Sequence, residues 1–183
     1  MTEWTQRAHV LADHAVSGVL GHVSSLHFDT MSELLWVGSA SGQLTSHTGA
    51  LPTLPRYTSL AAHGVPKQPR HVRGILSDDK FIISLSEGRV CASQRQGLGR
   101  WSMQIEDHAP GVALAGLCAS PQSASSDIIV GGAAPNSHDA LFALHSISGR
   151  VVRSAVSDGT VTQLRKGSRY LCVGTEQGTI QLH

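Results

Sequence analysis

Histidine is the side chain in this sequence whose abundance most suggests metal or proton chemistry. The chain carries 11 histidines among 183 residues. A zinc site needs three or four converging ligands, usually with some close together in sequence. The histidines considered for such a site are instead spread along the chain: His22, His27, His63, His71, His108, His138 and His145. We therefore expect structural or surface roles for them, with no metal site and no cofactor.

A serine flanked by glycines is the second pattern that could carry chemistry. The run from Gly38 to Gly42 looks at first like a nucleophile elbow, but Ala40 stands where the reactive serine belongs. The sequence also lacks the phosphate-binding patterns GxxxxGK[ST] and a strand followed by GxGxxG. The run is typical of a tight turn, and we predict no catalytic residue in this chain.

Lys67, Arg70 and Arg73, together with His71, form a small basic cluster that could bind a phosphate or an acidic partner. Nucleic-acid binding needs more positive charge than this, and eight aromatic residues offer few platforms for base stacking. Trp101 could anchor a partner on the surface. The interaction candidates are therefore Lys67, Arg70, Arg73 and Trp101. A solvated loop is the favoured interpretation of the basic cluster, and packing in an outer strand is the favoured interpretation of Trp101.

The composition excludes several classes of protein. The net charge is only +1, so no strong field would attract nucleic acid or a membrane surface. Three scattered cysteines favour a reducing, intracellular compartment over secretion. Residues 1–21 lack a signal-peptide core, and no apolar run has membrane-spanning length.

The stretch from His22 to Gln43 contains one β-hairpin outline that the rest of the chain repeats. Residues 23–28 alternate in polarity, which suits a half-buried strand. A turn follows, and then an apolar run, Leu34 to Val37, that ends at Gly38. Similar apolar runs end near Ser84, Gly131 and Gly174, so the closing residues are 46, 47 and 43 positions apart.

A repeat of this length with about four strands per unit is typical of a WD40-type β-propeller. We predict an all-β, incomplete propeller of about four blades, each a four-stranded antiparallel sheet, with the last blade truncated. A lead-in segment would occupy residues 1–20 and the partial propeller residues 21–183. The predicted blades lie at about 21–63, 71–107, 112–157 and 160–183. Another all-β sandwich or barrel is the alternative.

The first repeat also resembles a known family. The sequences SSLHFDTMSELLWVG at Ser24–Gly38 and RYTS at Arg56–Ser59 are similar to the N-terminal WD40 region of the catalytic subunit of the poly(A)-specific deadenylase complex, especially its fungal members. The runs VRGILSDDKFIISLSEGRVCASQRQGLGRW, DIIVGG and VTQLRKGSRYLCVGTEQGTIQL fit the later blades of that region. The resemblance covers about residues 21–183.

The resemblance implies a non-catalytic scaffold that supports shortening of mRNA poly(A) tails. In the family, the magnesium-dependent exonuclease lies in a separate C-terminal domain, so no catalytic residue is carried over to this chain. The implied partners are a regulatory pseudokinase-like subunit and, indirectly, poly(A)-binding protein and mRNA, in the cytoplasm and its P-bodies. A stand-alone WD40-type interaction module of an unrelated assembly remains the alternative, and an enzymatic propeller is a third interpretation.

Overall fold

A computed structural model describes residues 22–48, 55–59, 71–86, 88–96, 98–104, 113–119, 127–133, 139–167 and 169–183. These residues contain fifteen β-strands and no helix. The predicted Lys67 and Arg70 and the lead-in segment lie outside them. Of the described residues, none belongs to a helix long and apolar enough to cross a membrane.

The strands form four separate antiparallel sheets, each with its strands in chain order. Sheet 1 contains β1 (Val23–Asp29), β2 (Leu34–Ser39), β3 (Leu44–Thr48) and β4 (Pro55–Ser59). Sheet 2 contains β5 (Gly74–Ser77), β6 (Phe81–Ser86), β7 (Arg89–Gln94) and β8 (Gly99–Gln104). Sheet 3 contains β9 (Ala113–Ala119), β10 (Asp127–Ala133), β11 (Asp139–His145) and β12 (Val151–Val156). Sheet 4 contains β13 (Val161–Lys166), β14 (Leu171–Thr175) and β15 (Ile180–Leu182).

The first strands of successive sheets lie against one another. β1 contacts β5, β5 contacts β9, and β9 contacts β13. The sheets are therefore stacked side by side rather than joined into one sandwich. The all-β class and the truncated last sheet are confirmed, whereas the wider blade limits given above stay predictions.

Apolar side chains from neighbouring sheets form three clusters, one between each pair of sheets. Trp36 and Leu34 of sheet 1 pack with Ile82 of sheet 2, and Trp36 is fully buried. Phe81, Ile83 and Leu85 of sheet 2 pack with Ile128 and Val130 of sheet 3. A third cluster joins sheet 3 to sheet 4 and includes Cys118, Leu141, Val161, Leu164, Leu171 and Val173. Burying these faces supplies the main force that holds the stack together.

The clusters correct one step of the repeat alignment. Gly38 lies on the face of sheet 1 that packs on sheet 2, because a β-carbon there would meet Val72. Gly131 likewise faces Val161 of sheet 4. In sheet 2 the residue on the corresponding face is Leu85, since Leu85 packs towards sheet 3 and side chains alternate along a strand. The predicted equivalence of Ser84 is therefore wrong by one residue, because both faces of β6 are buried and sequence alone does not fix its register.

Candidate interaction surface

Of the predicted basic cluster, the structure describes His71, which is exposed, and Arg73. The side chain of Arg73 is exposed, and its backbone N–H donates a hydrogen bond to the carbonyl oxygen of Leu85 at 2.7 Å. Arg73 thus lies where the chain enters sheet 2. Its role in binding a partner, like those of Lys67 and Arg70, stays a prediction.

Trp101 lies at the joint between sheets 2 and 3. Its indole Nε1–H donates to the carbonyl oxygen of Ser146 at 2.7 Å, and its ring packs against the buried cluster between the two sheets. A β-carbon at Gly149 would lie only 2.5 Å from the ring, so this positive-φ glycine provides room for the indole. The half-buried ring is held by the turn of the next sheet, and only its remaining edge is available to a partner.

A buried ion pair joins sheets 1 and 2. Asp29 is fully buried, and Arg95 Nε lies 2.7 Å from its Oδ2. The same guanidinium donates to the carbonyl oxygens of Asp78 and Asp79 in the β5–β6 turn. Burial acts to raise the pKa of Asp29, but the hydrogen bonds from Arg95, Ser32 and the Met31 N–H and the charge of Arg95 lower it overall. Asp29 is therefore a structural carboxylate that links two sheets.

His27 provides a second link between the same sheets. Its Nε2 accepts a hydrogen bond from the Ser77 backbone N–H at 3.1 Å and lies 2.8 Å from the Ser77 hydroxyl. Accepting the backbone N–H requires an unprotonated Nε2. Burial lowers the pKa of His27, and the nearby charge of Asp29 only partly opposes that shift. This histidine is a neutral structural acceptor, in keeping with the structural role expected from its position.

The described part of the chain contains neither a group of side chains placed to bind a metal ion nor a reactive buried thiol. No three His, Cys, Asp or Glu side chains there are grouped so that they could hold a metal ion. Cys91 and Cys118 are buried free thiols, and burial raises the pKa of each to about 11. Buried thiols of this kind are unreactive at neutral pH. The expected lack of a cofactor stays a prediction.

One end of sheet 4 contains three exposed cationic side chains and an exposed tyrosine. Arg165 and Lys166 end β13, Arg169 lies in the turn that follows, and Tyr170 precedes β14. All four side chains are exposed, with Tyr170 at 58%. The turn is fixed by a hydrogen bond from the Gly167 N–H to the Tyr170 carbonyl oxygen at 2.7 Å. We call these four residues the cationic end of sheet 4.

The acidic residues of sheet 4 lie at its other end. Asp158 precedes β13 and Glu176 follows β14, and both are exposed. Six strand residues separate the two ends, which corresponds to about 17 Å. Sequence reasoning overlooked the cationic end, although the run RKGSRY, with three cations and a tyrosine in six positions, was a signal that could have revealed it.

Four stacked antiparallel sheets with their first strands in contact define a WD40-type β-propeller segment. Solved structures share this fold. The Neurospora crassa Pan2 WD40 domain is 24% identical and has a TM-score of 0.69 over 87% of this chain and 45% of that one. The WD40 propeller of Doa1 is 13% identical, with a TM-score of 0.69 over 91% of this chain and 52% of that one. The computationally designed Ika4 protein is 16% identical, with a TM-score of 0.67 over 91% of this chain and 93% of its own.

The chain belongs to the PAN2 N-terminal family, whose model matches residues 8–183. Curated relatives agree with this assignment. The catalytic subunits of the PAN2-PAN3 deadenylation complex from Aspergillus oryzae and Aspergillus clavatus are each 36% identical over 86% of this chain. The same subunit from Coccidioides immitis is 35% identical over 87% of the chain. The chain spans only 12% of the length of each of these relatives.

Proposed function

We propose that this chain is a non-catalytic docking scaffold of a poly(A)-specific deadenylase subunit and contributes to shortening of mRNA poly(A) tails. The observation that carries the proposal is the family match over residues 8–183. A propeller whose blade faces are buried against one another leaves its turns and outer strands accessible to partners.

The direct partner in this proposal is the regulatory subunit, PAN3, with which the relatives form their named complex. We infer that this subunit is pseudokinase-like and that poly(A)-binding protein and mRNA are reached indirectly through the assembled complex. The proposed compartment is the cytoplasm, where three free cysteines stay reduced.

Co-expression with the regulatory subunit tests the scaffold role. A tagged full chain should retain that subunit through size-exclusion chromatography, whereas a tagged propeller of unrelated sequence, such as Doa1, should not. Failure to retain it, with the chain folded by circular dichroism, would contradict the proposal.

A nuclease assay tests the non-catalytic part of the proposal. The purified chain should release no AMP from poly(A) in the presence of Mg²⁺ above the level of a buffer control. Metal-dependent release that persists through repurification would overturn it.

A stand-alone interaction module of an unrelated assembly is the second candidate. It is favoured by one observation, namely that the designed Ika4 protein matches this chain over 93% of its own length, so a four-sheet unit exists as an independent chain. Sequencing the transcript beyond His183 separates the two proposals. Further blades and a distal exonuclease of the DEDD type favour the deadenylase subunit, and a stop codon favours the module.

A further inference from the structure

We propose that the outer rim where sheets 2 and 3 meet is a docking site for a partner segment in which carboxylates alternate with apolar side chains. The first strands of the sheets touch one another, so the fourth strands, β8 and β12, lie on the outside of the stack. The inference rests on the docking role proposed above and specifies which part of the chain takes up a partner. We call the site the sheet 2–3 rim, and it consists of Leu98, Arg100, Trp101, Ile147 and Arg150.

Two contacts of Trp101 bring the members of this rim together. The indole Nε1–H donates to the carbonyl oxygen of Ser146 at 2.7 Å, and the ring fills the space beside Gly149. Three members of the rim are immediate sequence neighbours of these contacting residues: Arg100, Ile147 and Arg150. The rim is therefore built by the packing of one sheet on the next.

The exposure of the rim does not depend on an absent neighbouring sheet. Leu98 is 65% exposed although sheet 2 lies between two four-stranded sheets. Arg150 occupies the same place in sheet 3, because the His145 N–H bonds the Arg150 carbonyl oxygen as the Gln94 N–H bonds that of Leu98. A further strand beside sheet 3 would thus leave Arg150 exposed, as sheet 3 leaves Leu98 exposed.

The rim presents apolar side chains from both sheets. Leu98 of sheet 2 is 65% exposed and Ile147 of sheet 3 is 50% exposed, while Trp101 between them is half-buried. Ile147 lies in the turn that packs on sheet 2, whose four strands are all present. Tryptophan and arginine are enriched among the binding hot spots of protein interfaces, and covering the aliphatic side chains removes apolar surface from water.

The charge of the rim selects a partner with carboxylates. Residues 94–104 and 145–154 contain four arginines and neither Asp nor Glu. One of these, Arg95, is already paired with Asp29. Arg100 and Arg150 are exposed, and neither forms an ion pair with another residue that the structure describes. Guanidinium groups bind carboxylates in a bidentate manner, and local charge of one sign attracts and orients a partner of the other.

A peptide is favoured over a nucleic acid for this site. Single-stranded nucleic acid is bound by a charged groove with several aromatic platforms on which bases stack. The sheet 2–3 rim offers one half-buried ring, and its other apolar members are aliphatic. We therefore commit to an acidic and apolar peptide and treat nucleic acid as an outcome of the test.

Fluorescence anisotropy with the full chain tests the inference. The probe is a labelled twelve-residue peptide of three Glu-Leu-Asp-Ser repeats. One control peptide carries Gln and Asn in place of the acids, and the other carries Ser in place of Leu. We expect the probe to bind and each control peptide to bind at least about tenfold more weakly, because each lacks one of the two features that the rim recognises.

Charge reversal locates the site. The double variant Arg100→Glu/Arg150→Glu should weaken binding of the probe by about tenfold or more, since both attractive contacts become repulsive. The matched control, Arg165→Glu/Arg169→Glu, makes the same change in net charge at exposed positions of sheet 4 and should change binding less than about twofold. Circular dichroism of both variants should match that of the unaltered chain.

A matched pair of leucines tests the apolar part of the site. Leu98→Ser should weaken binding of the probe by about fivefold or more, because it removes an apolar contact from the rim. Leu182→Ser is the control, since Leu182 is 66% exposed, almost the same as Leu98, but lies in sheet 4. The control should change binding less than about twofold.

Three results would overturn the inference. The first is no binding of the probe, and the second is an equal effect of the rim variant and its control in either pair. The third is a labelled twelve-nucleotide oligoadenylate that binds more tightly than the probe and is lost in Arg100→Glu/Arg150→Glu. If the regulatory subunit still co-purifies with the unaltered chain while the probe does not bind, this site fails and the scaffold role stands. If the probe binds at the rim while that subunit is not retained, the scaffold role fails and the site stands.

Discussion

Sheets 1 and 4 carry the same turn but differ in what lies beyond it. In sheet 1 the Ser39 N–H bonds the Gln43 carbonyl oxygen and the Gly42 N–H bonds the Ser39 carbonyl oxygen. In sheet 4 the Thr175 N–H bonds the Thr179 carbonyl oxygen and the Gly178 N–H bonds the Thr175 carbonyl oxygen. Gly42 and Gly178 both adopt positive φ, at 84° and 78°. The turn is thus a property of each unit by itself.

The residue before each turn shows the influence of the neighbouring sheet. A β-carbon at Gly38 would collide with Ser25 Oγ and lie 2.6 Å from Val72, which enters sheet 2. A β-carbon at Gly174 would meet nothing closer than Gln163 at 3.5 Å. Likewise, His27 of β1 reaches Ser77 of sheet 2, whereas Arg165, which pairs at the corresponding position of β13, is exposed. The comparison separates what a unit needs to fold from what its contact with the next sheet adds.

The largest effect that we expect comes from the ion pair that sheet 1 has and sheet 4 lacks. Arg95→Ala should lower the free energy of unfolding by about 3–5 kcal/mol, because it leaves the fully buried Asp29 carboxylate without its partner. Urea denaturation measures the loss. Arg165→Ala in sheet 4 is the control and should cost less than about 0.5 kcal/mol, because its side chain is exposed. Equal losses of stability in the two variants would show that the ion pair between sheets 1 and 2 contributes no more than an exposed arginine does.

The paired glycines should respond unequally to the same change. Gly38→Ala should cost about 1–3 kcal/mol, because the added methyl group overlaps Val72 and Ser25. Gly174→Ala should be neutral or stabilise the chain by up to about 1 kcal/mol, since the site is open and the unfolded chain loses freedom. Thermal melts of the two variants measure the difference. A large loss at Gly174 would mean that the outer face of sheet 4 is already covered in solution.

The turn hydroxyls should respond equally. Ser39 Oγ accepts the Gln43 N–H at 3.0 Å, and Thr175 Oγ1 lies 2.6 Å from Thr179 Oγ1. Ser39→Ala and Thr175→Val should each cost about 1 kcal/mol, the usual net value of one such hydrogen bond. Chemical denaturation of both variants checks this prediction. If only one variant lost stability, the turns would not be equivalent units.

The smallest effect is a pH dependence confined to sheet 1. Because the pKa of His27 is lowered in the folded chain, the unfolded chain binds more protons just below pH 6.5. The contribution of His27 to the free energy of unfolding should be fully present above pH 6.5. It should be lost progressively as the pH falls below that value. His27→Gln keeps an acceptor but cannot titrate, so its melting temperature should change less between pH 7.5 and 5.5. Asp29, whose pKa is lowered from 3.8, contributes its full stabilisation above that pH and loses it only as the pH falls below it, outside this window.

Strands and turns were predictable from the sequence where one local pattern determines them. The run Leu34–Val37 and the glycine turn that ends at Gly42 predicted a hairpin that the structure confirms. The contacts between sheets were not predictable. Nothing local connects Asp29 to Arg95 or Trp101 to Ser146, because stacking of the sheets brings these residues together. The cationic end escaped notice for another reason, since strand patterns rank residues by burial and its residues are all exposed.

The distance in sequence between Asp29 and Arg95 has a consequence for biosynthesis. Arg95 follows Asp29 by 66 residues, so a ribosome adding 5–20 residues per second delivers the guanidinium roughly 3–13 s after the carboxylate. During that interval the Asp29 carboxylate has no Arg95 to neutralise it and is better kept in water than buried. The turn of the first hairpin can therefore adopt its folded, buried position only after most of the second sheet has been synthesised.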